Sequence, residues 1–558
     1  MISRAVSRLG ARPGPLLVLI LALGFALRAI QTHLGLPYVY NFDDPQVAAH
    51  ALNILKTGDW NPHFFAYGSL MIYVDAIVDA ANYLRLAGHP IGARESLIAY
   101  DQLAMIDRIA VPADGSPVWY WMISHPSFYL WNRTVTALFG AGTIAVTYAI
   151  ARRIVPSPMA LVPPLLLAVV PIHIAQSGLT TTDIPVGFMV GVATLAAMVF
   201  AETGGLTAFV TSLVFVGLAA ATKYNSGLIL VTPLLALVMR HTARQPAIRW
   251  WHWLLLIAVP AVTFLTVMPF ALLDFKRFIT DLAQSTSSYH APGPSQSRPG
   301  IRHLTLILTQ FGENLGIAAA LLALVGVGLM ATAVRTRPPL ILLFVFPLAF
   351  VLYMSTTTPD YHRNFMQLYP FLCLYAGYGL YRLAELRVVA DAMAGRARVP
   401  AVLLIVAIAA LPLLYRSAAN AANVAQARDT RGLAVAQAKE MNDAGPFEIL
   451  DELHIHPFDL EELGPTHSEA GEEQIAQDIC ATADGRVFIL PTEIRYFNFA
   501  AATPERTAAI GRFNALLRSL KSRPETITLD GPATPTWGPP INPGVMIVKA
   551  RGGLCEPR

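Results

Sequence analysis

The chain is 558 residues long, 54% hydrophobic and only 14% charged, with a formal net charge of +4. Soluble domains carry roughly 25% charged residues, so a chain this long and this poor in charge falls outside the ordinary soluble classes and reads as a membrane protein. In chain order, the first apolar segment, Pro15 to Ile30, follows Arg4, Arg8 and Arg12 and lacks an A-x-A cleavage pattern, so it reads as a retained first helix. Further spans are expected near 131–151, 159–177, 184–201, 206–222, 226–240, 251–270, 312–333, 339–355, 365–383 and 399–415, about eleven in all. Residues 70–87 are apolar but interrupted at helical spacing by Asp75, Asp79 and Arg85, which predicts an amphipathic helix lying on the membrane.

Charge supports one orientation. With the N-terminus inside, the short inside segments carry Arg4, Arg8, Arg12, Arg152, Arg153, Arg240, Arg244, Arg249, Arg335, Arg337, Arg382, Arg387, Arg396 and Arg398. The short outside loops hold only Lys223 and Arg363. Topology thus explains the basic residues, and nucleic acid is not an expected partner. An odd number of spans leaves the tail, residues 416–558, outside; it holds 14 Lys+Arg and 19 Asp+Glu. RVFIL at 486–490 and VMIVK at 545–549 read as buried strands and 506–520 as an amphipathic helix, a small α/β domain. The expected division is a membrane part over 1–415, with a first external loop at 37–130, and an external domain over 416–558. Cys373 lies in a span; Cys480 and Cys555 share the tail, where an oxidising compartment permits a disulfide.

The polar residues that invite chemistry gather at the outside ends. LPYVYNFDDPQVAAHALNILKTGDWNPHFFAYGSL follows the first span and opens with Asp43 and Asp44. Asp44-Pro45 reads as an N-cap followed by a first-turn proline, which occupies Asp44 and leaves Asp43 for chemistry or for a solvated loop. SGLTTTDIP places Asp183 before a helix, as a cap or as a functional acid. ATKYNSG places Lys223 and Tyr224 at a turn, and PDYHRNF adds Tyr361, His362 and Arg363. Each cation alone reads equally as a snorkelling side chain. Their convergence on one face points instead to function, because ionisable groups at membrane depth cost about 2.5–3.5 kcal/mol each on insertion scales. Cations suit a phosphate-bearing lipid, and a carboxylate suits a sugar hydroxyl awaiting deprotonation. There is no P-loop, no H-E-x-x-H and no G-x-S-x-G with triad context, and HIHP at 454–457 lacks metal spacing.

YNFDDPQVAAHALNILKTGDWNPHFFAYGSL, then TTTDIP, ATKYNSG and YHRNFMQLYPF in that order, resembles the GT-C glycosyltransferases related to protein O-mannosyltransferases and aminoarabinose transferases. RDTRGLAVAQAKEMNDAGPFEIL at 428–450 resembles the opening of the C-terminal domain in many bacterial members. The resemblance implies a polytopic helical GT-C fold and a polyprenyl-monophosphate sugar donor. It also implies an acidic pair in the first loop, usually Asp-Glu and here Asp43-Asp44. The expected activity is inverting transfer to a hydroxyl of a glycan, lipid or protein acceptor, at the external face of a cytoplasmic membrane. Asp43 and Asp44 are the catalytic candidates; Lys223, Arg363 and His362 bind the donor phosphate; His50, Asp183, Tyr224 and Tyr361 position substrate. No metal or cofactor is implied. The alternative is a lipid-linked-sugar flippase, which would need the intramembrane charges but no base.

Overall fold

A computed structural model describes residues 13–36, 43–87, 127–243, 248–290, 298–359, 361–385, 398–426 and 429–441 and, with breaks, 446–549. Its helices in chain order are α1 (Pro13–Gln31), α2 (Asp43–Thr57), α3 (Leu70–Ala87), α4 (Ser127–Ile154), α5 (Val162–Val169), α6 (Pro171–Ser177), α7 (Asp183–Thr203), α8 (Leu206–Thr222), α9 (Val231–Thr242), α10 (Trp251–Val267), α11 (Phe275–Ser288), α12 (Ile301–Ala333), α13 (Leu342–Ser355), α14 (Tyr369–Glu385) and α15 (Arg398–Gln426). The chain forms two compact units: residues 1–33, 46–101 and 127–422 make the first, and residues 34–45, 102–126 and 423–558 the second.

Among the described residues, six helices are long and apolar enough to cross a bilayer, or seven if a bent pair is one span. That is fewer than the eleven segments expected, because several apolar runs are broken or short. The run 159–177 is split into α5 and α6, which meet at a 60° bend where Val170 turns extended ahead of Pro171. Proline has no N–H to continue the ladder and pushes the residue before it out of the helical region. Tyr224–Leu230 and His362–Leu368 begin their runs as tight 3₁₀ turns before α9 and α14. α8 and α10 stop at 17 residues, the lower end of spanning length.

Arg28 of α1 is wholly buried and serves this break. Its guanidinium donates to the carbonyls of Leu167 and Ala168 at 3.1 and 3.2 Å, and it also meets His173 Nδ1 at 2.9 Å. The carbonyls at the end of α5 have no next turn to bond them, and the arginine takes that place.

α3 differs from expectation in the face it presents. Its acidic face does not meet water: Asp75, Asp79 and Asn82 are all fully buried, while Ile77 is 64% exposed. α3 packs on α4, and Asn82 donates to Ser127 Oγ at 2.9 Å. Burial, and after it the neighbouring Asp75 carboxylate, hold the Asp79 carboxyl well above the usual carboxylate range.

The second unit contains a five-stranded mixed sheet, ordered β2 (His467–Ala470), β1 (Phe447–Leu450), β3 (Val487–Pro491), β5 (Val545–Lys549) and β4 (Ile527–Leu529). β1 runs parallel to β2 and β3, and β5 antiparallel to β3 and β4. α16 (Thr430–Met441) covers one face through Ala434, Val435 and Ala438. Ile475 and Ile479 of α17 (Glu472–Ala481), with Phe513, Leu517 and Leu520 of α18 (Pro504–Lys521), cover the other. Covered on both faces, β3 is an unbroken buried run, VFILP. The strands and helix expected at 486–490, 545–549 and 506–520 are β3, β5 and α18. Cys480 of α17 is disulfide-bonded; Cys555, its expected partner, lies outside the described residues.

α12 and α14 cross with their backbones in close approach. A Cβ at Gly326 would overlap the Tyr375 carbonyl, and one at Gly379 would overlap the Leu322 carbonyl, so only glycine lets the two backbones approach this far. Gly326→Ala and Gly379→Ala should each lower the thermal midpoint in detergent, by an amount matching the ~1–3 kcal/mol of an overpacked core. Gly328→Ala, which meets nothing within 4 Å, should not.

Candidate functional site

The site is assembled where three helices start or stop in the first unit. α8 ends at Lys223, whose backbone turns extended (φ −149°, ψ 115°) and throws the side chain away from the helix axis. α7 begins at Asp183, and Thr182 at the cap position makes no side-chain cap. The Asp183 carboxylate pairs with Lys223: Nζ donates to Asp183 Oδ1 at 2.5 Å and to Asn364 Oδ1 at 3.0 Å. Burial is the largest influence and works against the ammonium, but the charge and hydrogen bond of Asp183, together with Tyr289, outweigh it and hold Lys223 above its ordinary range. Lys223 therefore does not snorkel.

Arg363 adds the third charge. Its Nε lies 4.0 Å from Asp183 Oδ2, and its guanidinium carbon sits 4.8 Å from the centre of the Tyr361 ring. The Arg363 side chain is 28% exposed, against 9% for Lys223 and 5% for Asp183. Arg363 is thus the cation an incoming anion can reach, and Lys223 the one behind it. Beside them, His362 Nδ1 is 2.9 Å from Asn314 Nδ2, which also donates to the Tyr369 hydroxyl at 2.8 Å. Sequence reasoning missed Asn314 and Asn364. Asn364 follows Arg363 directly in the quoted block; Asn314, one of two amides with Gln310 in a long apolar helix, was the visible signal for the other.

A second set of contacts fixes the loop from Asp59 to Ser69. The Tyr224 hydroxyl reaches the Phe65 and Tyr67 carbonyls, both at 3.0 Å, so this residue holds the loop. From α11, Asp281 accepts from Phe65 N at 2.9 Å and Ser285 donates to the Ala66 carbonyl at 3.2 Å. Asn61 donates to Asp274 at 2.9 Å. A Cβ on Gly68 would run into the Ala221 carbonyl, two residues before Lys223. Loop and charge cluster therefore share one rigid frame.

Asp43 and Asp44 fall in the second unit. α2 begins at Asp43, so Asp44 is not the N-cap expected from its sequence: both acids lie in the first turn, where negative charge meets the positive end of the helix dipole. Pro45 still costs nothing there, because first-turn N–H groups have no partner to lose. Asp44 is fully buried and Asp43 partly exposed. His50, one face further along α2, bonds through Nδ1 to the Gln46 carbonyl at 2.6 Å and stacks on Phe64 at 4.3 Å.

Residues 117–270 match the family described as dolichyl-phosphate-mannose-protein mannosyltransferase, a stretch that contains Asp183, Lys223 and Tyr224. Among solved structures, the chain superposes on ArnT from Cupriavidus metallidurans bound to undecaprenyl phosphate with a TM-score of 0.52 at 14% identity, over 97% of this chain and 99% of ArnT. The chain carries the GT-C fold. The oligosaccharyltransferase AglB from Archaeoglobus fulgidus, in complex with an inhibitory peptide and a dolichol-phosphate, aligns with a TM-score of 0.49 at 11% identity, over 97% of this chain and 75% of AglB. No curated protein matches the sequence significantly. The GT-C likeness read from the ordered sequence blocks is met at the level of fold.

Burial pushes the His50 imidazole down to about 4, with lesser contributions from neighbouring charges. A depressed folded-state value means that His50 contributes stability above pH 6.5, the unfolded value, and loses it as pH falls toward 4. His50→Phe keeps the stack on Phe64 without a titrating group. It should therefore show a smaller fall in thermal midpoint between pH 6.5 and 4.5 than the parent protein, measured by a melting series in detergent.

Proposed function

We propose that the protein is a membrane glycosyltransferase that moves a sugar from a polyprenyl-monophosphate donor to an acceptor hydroxyl, with inversion at the anomeric carbon. The observation that carries this reading is the buried Asp183–Lys223 pair with the more open Arg363 beside it, two of the three lying inside the stretch that matches the mannosyltransferase family. The ArnT structure that shares the fold holds undecaprenyl phosphate, a ligand of the class these cations suit. A lipid-linked-sugar flippase gains no support from the family match or from the fold.

In this reading Asp43 takes the proton of the acceptor hydroxyl as its oxygen attacks the anomeric carbon in line. The bond between that carbon and the phosphate oxygen breaks, and polyprenyl phosphate leaves. A phosphate ester is a weak base, so the leaving oxygen needs charge stabilisation and no general acid. Arg363 supplies that charge by contact. Lys223 supports it from behind, while Asp183 spaces the two cations and keeps either from swinging out. Asp44 packs the start of the helix that carries Asp43. Tyr361 and His362 flank the phosphate position, and Tyr224 and His50 hold the first loop. The arginine-rich inside segments support a site on the external face of the cytoplasmic membrane. The acceptor is a glycan, a lipid or a protein.

Incubation with a panel of polyprenyl-phosphate sugars, read by mass spectrometry of the products, tests the activity. Asp43→Asn should lower turnover by roughly 10²–10⁴ while leaving melting and donor affinity near those of the parent; near-normal transfer would remove the general-base role. Arg363→Ala should weaken donor binding by about one to two orders of magnitude, the weight of a charge-assisted hydrogen bond. Arg363→Lys should recover only part, because lysine lacks the planar fork. Unchanged donor binding in both Arg363 variants would displace the phosphate from this cluster.

A further inference from the structure

The side chains of α11 fall into three strips, laid side by side by a repeat of about 100° per residue. The first faces the protein: Asp281 is 7% exposed, and Phe278 and Ser285 are half-buried beside it. The second is apolar and open, with Phe275 56% and Ile279 44% exposed one turn apart and Ala283 exposed after them. The third is polar: Lys276, Thr280, Gln284 and Ser287 are all exposed. A helix with an apolar flank beside a polar one is built to lie in a bilayer interface. The open apolar surface does not begin on α11. Ile257 and Val262 of the apolar helix α10 are 71% and 63% exposed, and Leu272 and Leu273, in the turn at 268–274 that joins the two helices, are 59% and 75% exposed. The lipid-facing side of α10 therefore runs on into α11.

We propose that α11 is an interfacial helix: Phe275 and Ile279 seat in the bilayer boundary, Lys276 meets the phospholipid phosphates, and this seat fixes the first loop. The docking stands whether or not the protein transfers sugar; only its bearing on catalysis rests on that reading. Lys276 is exposed and in no ion pair among the described residues, whereas Arg277 is tied to Asp281 at 2.9 Å. A cation at the border of an open apolar strip suits the phosphate level of a lipid surface. The protein-facing side of the helix carries the effect inward. Asp281 takes the Phe65 N–H at 2.9 Å, and Ser285 donates to the Ala66 carbonyl at 3.2 Å. The Phe278 ring meets those of Phe65, Tyr224 and Phe264 of α10, with centres 5.7, 6.1 and 6.5 Å away. A 14-residue helix is marginal in water on its own, so cover on the open side steadies the side that holds the loop.

The full-length protein, reconstituted in vesicles of phosphatidylcholine and phosphatidylglycerol, tests the docking by photo-cross-linking with p-benzoylphenylalanine placed at Ile279 or at Gln284. Mass spectrometry should find a lipid adduct on the peptide from position 279 and none from position 284. A cross-link from 279 to a second copy of the chain, no lipid adduct there, or equal adducts at both positions would overturn the proposal. Hydrogen exchange over residues 59–69 reads the coupling. Phe275→Ser combined with Ile279→Ser removes the apolar strip and leaves Asp281 and Ser285 in place. It should speed exchange in that stretch about tenfold or more, while exchange over residues 447–450 and 487–491 of the sheet keeps the parent rate. Parent-like exchange over 59–69 in the folded double variant would overturn the coupling, and so would an equal rise in the sheet. Should the double variant fail to fold, Ile279→Ser alone gives the same reading in milder form, and the cross-link in the parent background still decides the docking.

Discussion

The ion pair between Asp183 and Lys223 is the constraint on which the rest of the first unit is arranged. Two opposite charges removed from water are tolerated only when each is bonded to the other and to further polar groups, and deleting one partner of such a pair costs about 3–5 kcal/mol. Here the further group is Asn364, and the pair spans three separate stretches of chain: the start of α7, the end of α8 and the turn before α14. Each of those stretches interrupts an apolar run. The interruptions are therefore not flaws in the spans. They are the places where backbone leaves the helix so that polar side chains meet.

The same frame extends into the first loop. Tyr224, next to Lys223, reaches over to the loop carbonyls, and Gly68 brings the loop backbone against the last turn of α8. A shift of α8 would move the loop and the lysine together. An extended substrate held at one end by charge would then be held at the other by a surface in fixed register with it, which is the form of preorganisation that transfer chemistry requires.

Much of this was legible in the residues. Poverty of charge marked the membrane class, and isolated ionisable groups at the ends of apolar runs marked Asp183, Lys223 and Arg363, which do come together. What the sequence could not show was sidedness and pairing. Asp75 and Asp79 recur at helical spacing, and that spacing is identical whether the acidic face meets water or an adjoining helix; tertiary packing turned it inward. Asp44-Pro45 carried the signal of a helix start but not its exact first residue, and the helix begins at Asp43, two positions before the expected Pro45. The partners of Asn314 lie 48 and 55 residues away, and no local pattern encodes a contact at that range. Pro171 sat in plain view inside an expected span, where apolarity outweighed it in the reading but not in the backbone.

Arg28 carries a consequence for synthesis. A guanidinium three residues from the end of a helix ordinarily reaches up to the interface, yet this one is turned inward and finds its carbonyls on a segment about 140 residues later in the chain. Until that segment has been made, the Arg28 guanidinium has of its described carbonyl partners only Gly24 of its own helix, at 2.8 Å, and a charge within a span costs up to about 2.5–3.5 kcal/mol at the middle, falling toward its ends. α1 is thus a conditional resident of the bilayer, settled there only when the broken helix arrives to receive it.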